Sequence, residues 1–186
     1  DGSQSFTVRV LTAVAEETHS VFAIDVDGDG EVDVLSASMY DDTVAWYRND
    51  GALVFTERVI TTRLDHDDDT VAWYENDGSQ SFTERIITTL ADSGNTVFAV
   101  DLDGDGDVDV LSASQYDDTV AWYENDGSQS FAERVITTLA GGAEGIFAID
   151  VDGDGVVDVL SASPYDNTVA WHENDDTVAW YENDCG

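Results

Sequence analysis

Short runs that alternate branched apolar residues with small or polar ones recur along the chain. In residues 20–62 four such runs follow one another, at 21–26, 32–38, 43–50 and 54–62. A period of two places successive side chains on opposite faces of a sheet, which is typical of β-strands. The sequence contains no long apolar stripe with the period of a helix. The pattern therefore predicts an all-β chain in which short strands follow one another as a meander.

Tight turns separate the third and fourth runs of a unit. The tripeptide Asn-Asp-Gly stands there at residues 49–51, 76–78 and 125–127. These residue types tolerate the positive φ that a tight hairpin requires. We therefore expect antiparallel hairpins at these three places.

The whole strand pattern repeats. A Thr-Val-Ala-Trp phrase recurs and places tryptophans at Trp46, Trp73, Trp122, Trp171 and Trp180. Their spacings of 27, 49, 49 and 9 residues indicate a complete unit of 49 residues and two shortened units. We expect these tryptophans to pack in the core of the sheets rather than to stack against sugars.

A repeat of about 40 to 50 residues with four antiparallel strands is typical of a β-propeller blade. The sequence predicts an all-β fold, a β-propeller of about four blades with one truncated, or a fragment of a larger propeller. Residues 1–186 form one domain in this prediction, with blade units at 20–62, 63–89 (truncated), 95–138 and 145–184 and a closing strand at 5–12. Closure would pair that strand with residues 168–173 or with a shared blade that includes residues 177–181, and it would hide two sheet edges.

An acidic loop joins the first two strands in three of the units and is the candidate site. Aspartates occupy positions 1, 3, 5 and 9 of each loop, and glycines occupy positions 4 and 6. The aspartates are Asp25, Asp27, Asp29 and Asp33 in loop 1 (residues 25–33), Asp101, Asp103, Asp105 and Asp109 in loop 2 (residues 101–109), and Asp150, Asp152, Asp154 and Asp158 in loop 3 (residues 150–158). Glycines let the backbone curl so that the carboxylates converge, and converging carboxylates repel one another until a cation joins them.

A cage made only of oxygens suits calcium better than magnesium or zinc. The backbone carbonyl at position 7 completes the donor set, from Glu31, Asp107 and Val156. The loops differ from EF-hands because position 12 is serine and the flanking segments are strands. The sequence thus predicts three Ca²⁺ sites. Residues 63–69 replace the first two strands and the loop of the truncated unit, so no fourth site is expected there.

The composition excludes lysine-dependent chemistry and polyanionic binding partners. The chain has 41 acidic and 6 basic residues and a formal net charge of −35, and all six basic residues are arginine. Without lysine there is no P-loop clamp and no Schiff-base chemistry. So acidic a surface repels nucleic acid and anionic membranes. No apolar run is long enough for a transmembrane helix, and we expect no membrane insertion.

The segment VFAIDVDGDGEVDVLSAS (21–38), followed by DDTVAWYRNDGALVF (41–55), resembles an FG-GAP or VCBS-type repeat, the blade unit of integrin-α-like propellers. The resemblance implies an extracellular protein, secreted or on the cell surface, that carries calcium. It implies a role in adhesion or in recognition of a protein or glycan ligand. It also implies that the four aspartates and the position 7 carbonyl of each loop are calcium ligands.

Two function classes remain. We favour a non-catalytic recognition module, with no catalytic residues. The alternative is the propeller domain of a secreted calcium-dependent hydrolase or lyase. An enzyme usually needs residues that break the repeat, and the unrepeated segments 13–20, 63–69 and 140–145 contain no recognisable set of acid, base and nucleophile.

Overall fold

A computed structural model describes most of the chain, and all regular structure in it is β. The described residues are 7–13, 15, 18–38, 43–52, 54–61, 69–79 and 81–175. Within them lie thirteen strands: β1 (Thr18–Ile24), β2 (Asp33–Ser38), β3 (Thr43–Asn49), β4 (Phe55–Thr61), β5 (Val71–Asn76), β6 (Phe82–Thr88), β7 (Gly94–Val100), β8 (Asp109–Ser114), β9 (Thr119–Asn125), β10 (Phe131–Thr137), β11 (Gly145–Ile149), β12 (Asp158–Ser163) and β13 (Thr168–His172). The described segments include no helix that could cross a membrane. The all-β prediction is confirmed.

Within each sheet, every strand pairs with the strand that precedes or follows it in the sequence. The four sheets have the orders β1-β2-β3-β4, β5-β6, β7-β8-β9-β10 and β11-β12-β13. The register repeats as well, because the leucine of the second strand faces the tryptophan of the third: Leu35 with Trp46, Leu111 with Trp122 and Leu160 with Trp171. The predicted meander is therefore present, complete in two sheets and shortened in the other two.

The hairpin turns take the conformation that Asn-Asp-Gly predicts. Gly51, Gly78 and Gly127 have φ values of 80°, 77° and 78°, which favour glycine. In the last of these turns the Asp126 N–H donates to the carbonyl of Ser130 at 3.1 Å and closes the loop.

The chain divides into two compact units, residues 1–67 with 74–85 and residues 68–73 with 86–186. In the first unit Trp46 is fully buried. Its ring packs edge-on against Phe82, with centroids 5.9 Å apart, and the Arg58 guanidinium lies 5.7 Å from the centroid of the Trp46 ring. A tryptophan at the centre of one sheet thus supplies much of the apolar surface that this unit buries.

In the second unit the sheet β7–β10 packs against the sheet β11–β13. Leu111, Val120 and Val159 form the centre of this core. Phe98 and Phe147 meet edge to face, with ring centroids 5.1 Å apart. Buried alanines and serines fill positions around these larger side chains.

The tryptophans do not all share one environment. Trp73 is half-buried, and Trp122 is half-buried beneath the guanidinium of Arg134, 5.4 Å from the ring centroid. Trp171 is 46% exposed because β13 pairs only with β12 in the described chain, and no fourth strand brings an arginine across its ring. The core prediction is correct for Trp46 and wrong for Trp171. Trp180 lies outside the described residues.

The predicted closing strand is wrong where it can be seen. Residues 7–12 are the described part of the predicted strand 5–12. They form no strand, and Val8 and Val10 are exposed. Alternating residues form a strand only where a neighbouring backbone supplies hydrogen-bond partners, and in the described chain β13 has no partner besides β12. The alternative partner, residues 177–181, lies outside the described residues, as do residues 62–68 of the truncated unit.

Replacing Leu111 by alanine tests the core of the second unit. Leu111 has no exposed surface, so Leu111→Ala removes buried methyl groups and leaves a cavity. We expect the free energy of unfolding to fall by about 2 to 5 kcal/mol in urea denaturation. Leu139→Ala is the matched control, because Leu139 is 85% exposed and its truncation should leave the unfolding free energy almost unchanged. Equal losses from both variants would contradict this account of the core.

Candidate metal centre

Each acidic loop curls around the carboxylate at its first position. In loop 2, Gly104 and Gly106 have φ values of 76° and 99°, and their N–H groups donate to Asp101 at 2.8 and 3.1 Å. The same pair of bonds holds Asp25 in loop 1 and Asp150 in loop 3, at 2.6 to 3.0 Å. A side chain at these glycines would strain the backbone. The glycine pattern therefore fixes the position 1 carboxylate at the centre of the loop.

The carboxylate at position 9 is buried and ties the loop to the sheet. Asp33, Asp109 and Asp158 are all fully buried. One oxygen of Asp109 accepts the N–H of Leu102 at 3.1 Å, and the other accepts the N–H of Asn125 at 2.8 Å. Asp33 and Asp158 accept the equivalent pairs, at 2.7 to 3.1 Å. Each of these aspartates thus fastens the start of its loop to the end of the third strand.

Hydrogen bonding shifts the acidity of one of these groups. The backbone N–H of Asn174, followed by that of Val151, holds the pKa of Asp158 below its usual value, although burial opposes the shift. A carboxylate with donors on both oxygens stays ionised in a buried position.

An asparagine at the end of the third strand closes the loop from the other side. The side-chain amide of Asn125 donates to the carbonyl of Val108 at 3.0 Å, and its oxygen accepts the N–H of Gly127 at 3.2 Å. Asn49 makes both equivalent bonds, to Val32 and from Gly51. Asn174 donates to Val157 at 3.1 Å. One side chain therefore connects the acidic loop to the end of the third strand and, in two of the sheets, to the hairpin turn.

Positions 3, 5 and 7 carry a chain of local bonds. The N–H of position 7 donates to the carboxylate of position 5 in all three loops, from Glu31 to Asp29, from Asp107 to Asp105 and from Val156 to Asp154, at 2.8 to 2.9 Å. In loops 2 and 3 the N–H of position 5 donates to the carboxylate of position 3, at 3.2 and 3.1 Å. These turns set the spacing of the carboxylates along the loop.

The structure brings three of the four predicted carboxylates together in each loop. One oxygen from each member lies within 4.8 Å of the others in the groups Asp25–Asp27–Asp29, Asp101–Asp103–Asp109 and Asp150–Asp152–Asp158. Asp33, Asp105 and Asp154 fall outside these groups. Loops 2 and 3 therefore use the same three positions, and loop 1 uses a different set.

Among the described residues no arginine pairs with an aspartate of loop 2 or loop 3, and Arg134, near loop 2, pairs with Glu124 instead. Partial desolvation raises the pKa of Asp103, and the carboxylates of Asp105, Asp109 and Glu124 add to this rise. The carboxylate of Asp175 raises the pKa of Glu173, next to loop 3, with further contributions from burial and from the aspartates of that loop. Converging oxygen donors whose charges repel one another fit a hard divalent cation such as Ca²⁺.

Arg48 of β3 supplies a positive charge to the carboxylates of loop 1. The guanidinium of Arg48 bonds Asp27 at 2.5 Å and Asp29 at 2.9 Å. The side-chain hydrogen bond from Arg48 is the main reason that the pKa of Asp27 lies below its usual value. The donor set of loop 1 therefore differs in charge from those of loops 2 and 3.

Sequence reasoning missed both the asparagine and Arg48. The asparagine was interpreted only as a turn residue, although it stands at the same place after every third strand, including Asn76, which donates to the carbonyl of Val26 at 3.2 Å. Arg48 carries a visible signal, because the corresponding residue of the other repeats is Glu75, Glu124 or Glu173.

Replacing Asn125 by alanine tests the connection between loop and sheet. Asn125→Ala removes two side-chain hydrogen bonds, so we expect the free energy of unfolding to fall by about 1 to 3 kcal/mol in urea denaturation. Asn95→Ala, at an exposed position of β7, is the matched control and should leave stability within about 0.5 kcal/mol. A loss no larger than that of the control would show that the amide does not hold the loop.

Comparison with known proteins agrees with this architecture. A solved structure of an Agrocybe aegerita lectin, described for specific recognition of non-reducing terminal N-acetylglucosamine, is similar with a TM-score of 0.54 at 19% sequence identity. The match covers 78% of this chain and 47% of that chain, so this chain spans about half the length of the lectin structure. At this identity the likeness concerns the fold. No curated protein matches the sequence.

The repeat itself has a family match. The FG-GAP-like repeat matches three overlapping segments, residues 25–69, 59–112 and 101–161, which together cover more than half of the chain. Each segment includes at least one acidic loop, or part of one, together with neighbouring strands. The chain therefore belongs to the FG-GAP-like repeat family.

Proposed function

We propose that this chain is a non-catalytic recognition module of the extracellular space, stabilised by Ca²⁺ at its acidic loops. The observation that carries the proposal is the convergence of Asp101, Asp103 and Asp109, repeated by Asp150, Asp152 and Asp158, within 4.8 Å. Two copies of one carboxylate arrangement on two successive sheets make an accidental cluster a poor explanation.

The ion would be held by carboxylates that the fold has already oriented. In loop 2 these are Asp101, Asp103 and Asp109, with Asp105 and the carbonyl of Asp107 as the further donors that the sequence predicts. Bound Ca²⁺ supplies positive charge to carboxylates that otherwise repel one another. The residues of the chain do the rest, because glycine amides orient position 1 and the buried position 9 carboxylate anchors the loop to the sheet.

Calcium should raise the melting temperature. An ion that binds only the folded chain adds about 2.7 kcal/mol per site at a hundredfold excess over Kd, so two sites should raise Tm by about 10 °C or more. The measurement is thermal unfolding followed by circular dichroism, in calcium and in chelator. Calcium at about 10 to 100 mM gives this hundredfold excess, because extracellular modules bind with Kd values of about 10⁻⁴ to 10⁻³ M.

Two variants make this measurement specific. Asp103→Asn keeps the side-chain oxygen that accepts the Asp105 N–H but removes a charge from loop 2, so it should reduce the calcium-dependent gain in Tm. Asp92→Asn, at an exposed aspartate outside the loops, should leave the gain unchanged. Identical melting curves for the original chain in calcium and in chelator would overturn the calcium proposal.

We propose further that the four sheets are blades of a β-propeller and that the ligand is a carbohydrate. The repeated meander supports the blades, and the fold likeness to a lectin structure supports both the propeller and the carbohydrate ligand.

Exposed aromatic rings offer the apolar surface on which sugar rings stack. Tyr116 and Tyr165 stand at corresponding places after the second strand of their sheets, and both are exposed. Their neighbours Asp117 and Asp166 offer hydrogen-bond acceptors.

A glycan array with and without calcium tests the recognition proposal. We expect binding of at least one glycan class in calcium and weaker binding in chelator. Tyr116→Ala should weaken that binding without lowering Tm, and Tyr165→Ala, at the corresponding position of the last sheet, measures the contribution of the second tyrosine. An array that stays negative while calcium still raises Tm would reject the glycan and retain the metal sites.

A further inference from the structure

The three acidic loops have almost the same sequence, and one residue outside them makes loop 1 different. In the three repeats with an acidic loop, two residues at or just after the end of the third strand lie beside the loop: Arg48-Asn49, Glu124-Asn125 and Glu173-Asn174. The asparagine is constant, and the residue before it is acidic except in the first repeat. Arg48 thus places positive charge where loops 2 and 3 have negative charge.

The guanidinium of Arg48 bridges two carboxylates of loop 1. Its Nε donates to Asp27 Oδ2 at 2.5 Å, and one terminal nitrogen donates to Asp29 Oδ2 at 2.9 Å. Both acceptors belong to the group of three that converges in this loop. The Asp27 side chain is only 10% exposed, so this pair is shielded from solvent better than an ordinary surface ion pair.

We propose that Arg48 is the resident cation of loop 1 and that it takes the place of the metal ion, so the chain binds two calcium ions, at loops 2 and 3, and not three. This inference rests on the proposed calcium function of those loops. A guanidinium and Ca²⁺ cannot use the same carboxylate oxygens together without strong repulsion. Arg48 occupies oxygens of two of the three converging aspartates, and calcium takes about six to eight oxygen ligands.

The second oxygen of Asp27 shows what the loop would become without the arginine. Asp27 Oδ1 is buried and has no hydrogen-bond partner in the described chain. Removal of the guanidinium would leave this carboxylate buried with less compensation, which is a costly state for a charged group. Loop 1 of an Arg48→Glu variant should therefore depend on an added cation, as loops 2 and 3 do in the proposed function.

The repeats also offer the reverse change, at the position of loop 2 that corresponds to Arg48. In the third sheet Glu124 pairs with Arg134, and Arg134 lies over Trp122. In the first sheet Arg58 lies over Trp46 in the same register, beside Arg48. Glu124→Arg gives loop 2 the residue that the first repeat has at this position and removes the exposed pair with Arg134, so it is the reciprocal variant.

The test is a calcium titration of the full chain followed by ¹⁵N–¹H NMR. The glycine amides at positions 4 and 6 report each loop separately, because they donate to its position 1 carboxylate. In the original chain we expect Gly104, Gly106, Gly153 and Gly155 to shift with calcium, while Gly28 and Gly30 remain unchanged. In Arg48→Glu, Gly28 and Gly30 should also titrate. The calcium affinity of loop 1 should then be at least about tenfold higher than the upper limit measured for loop 1 of the original chain. In Glu124→Arg, Gly104 and Gly106 should stop responding.

Melting in chelator provides a readout that requires no metal. Arg48→Glu should lower Tm in chelator and recover it in calcium, whereas Glu124→Arg should not lower Tm in chelator. If Gly28 and Gly30 titrate in the original chain together with the other loops, Arg48 does not replace the ion, and the calcium function stands. If no glycine responds in the original chain and Arg48→Glu creates no site, both proposals are overturned.

Discussion

One buried carboxylate in each repeat that carries an acidic loop connects the loop to the sheet. Asp33, Asp109 and Asp158 lie where the acidic loop enters the second strand, and their oxygens accept amides from the start of the loop and from the end of the third strand. Burying a charge without such donors would be very unfavourable. The attachment of the loop to the third strand and the position of the hairpin asparagine therefore both depend on this one group.

This dependence explains why the loop and the sheet behave as one element. The asparagine side chain donates to the carbonyl of the residue that precedes the buried aspartate. Side-chain and backbone hydrogen bonds therefore both join the acidic loop to the end of the third strand. A change in either residue affects the other. The remaining carboxylates of the loop are carried on this frame and are free to differ in their surroundings, as loop 1 shows.

Alternation and composition were sufficient to predict the strands, their meander order and the glycine-dependent curl of the loops, because all three are local properties of the backbone. The environment of Trp171 was not predictable in this way, since its exposure depends on whether a further strand covers β13. The closing strand failed for a related reason: residues 7–13 alternate like a strand, but alternation does not specify a partner. Arg48 was missed because a long side chain acts across a loop at a distance that no periodicity records.

The amides of Gly104 and Gly106 hold the carboxylate of Asp101 through hydrogen bonds within the chain itself. The conformational entropy of ordering the loop is thus lost during folding rather than during ion capture. Loss of an ion from such a loop would leave its outline intact and change only the electrostatic potential around it. Under the proposed calcium function, a ligand that approaches this surface would encounter a changed electrostatic potential on an unchanged shape.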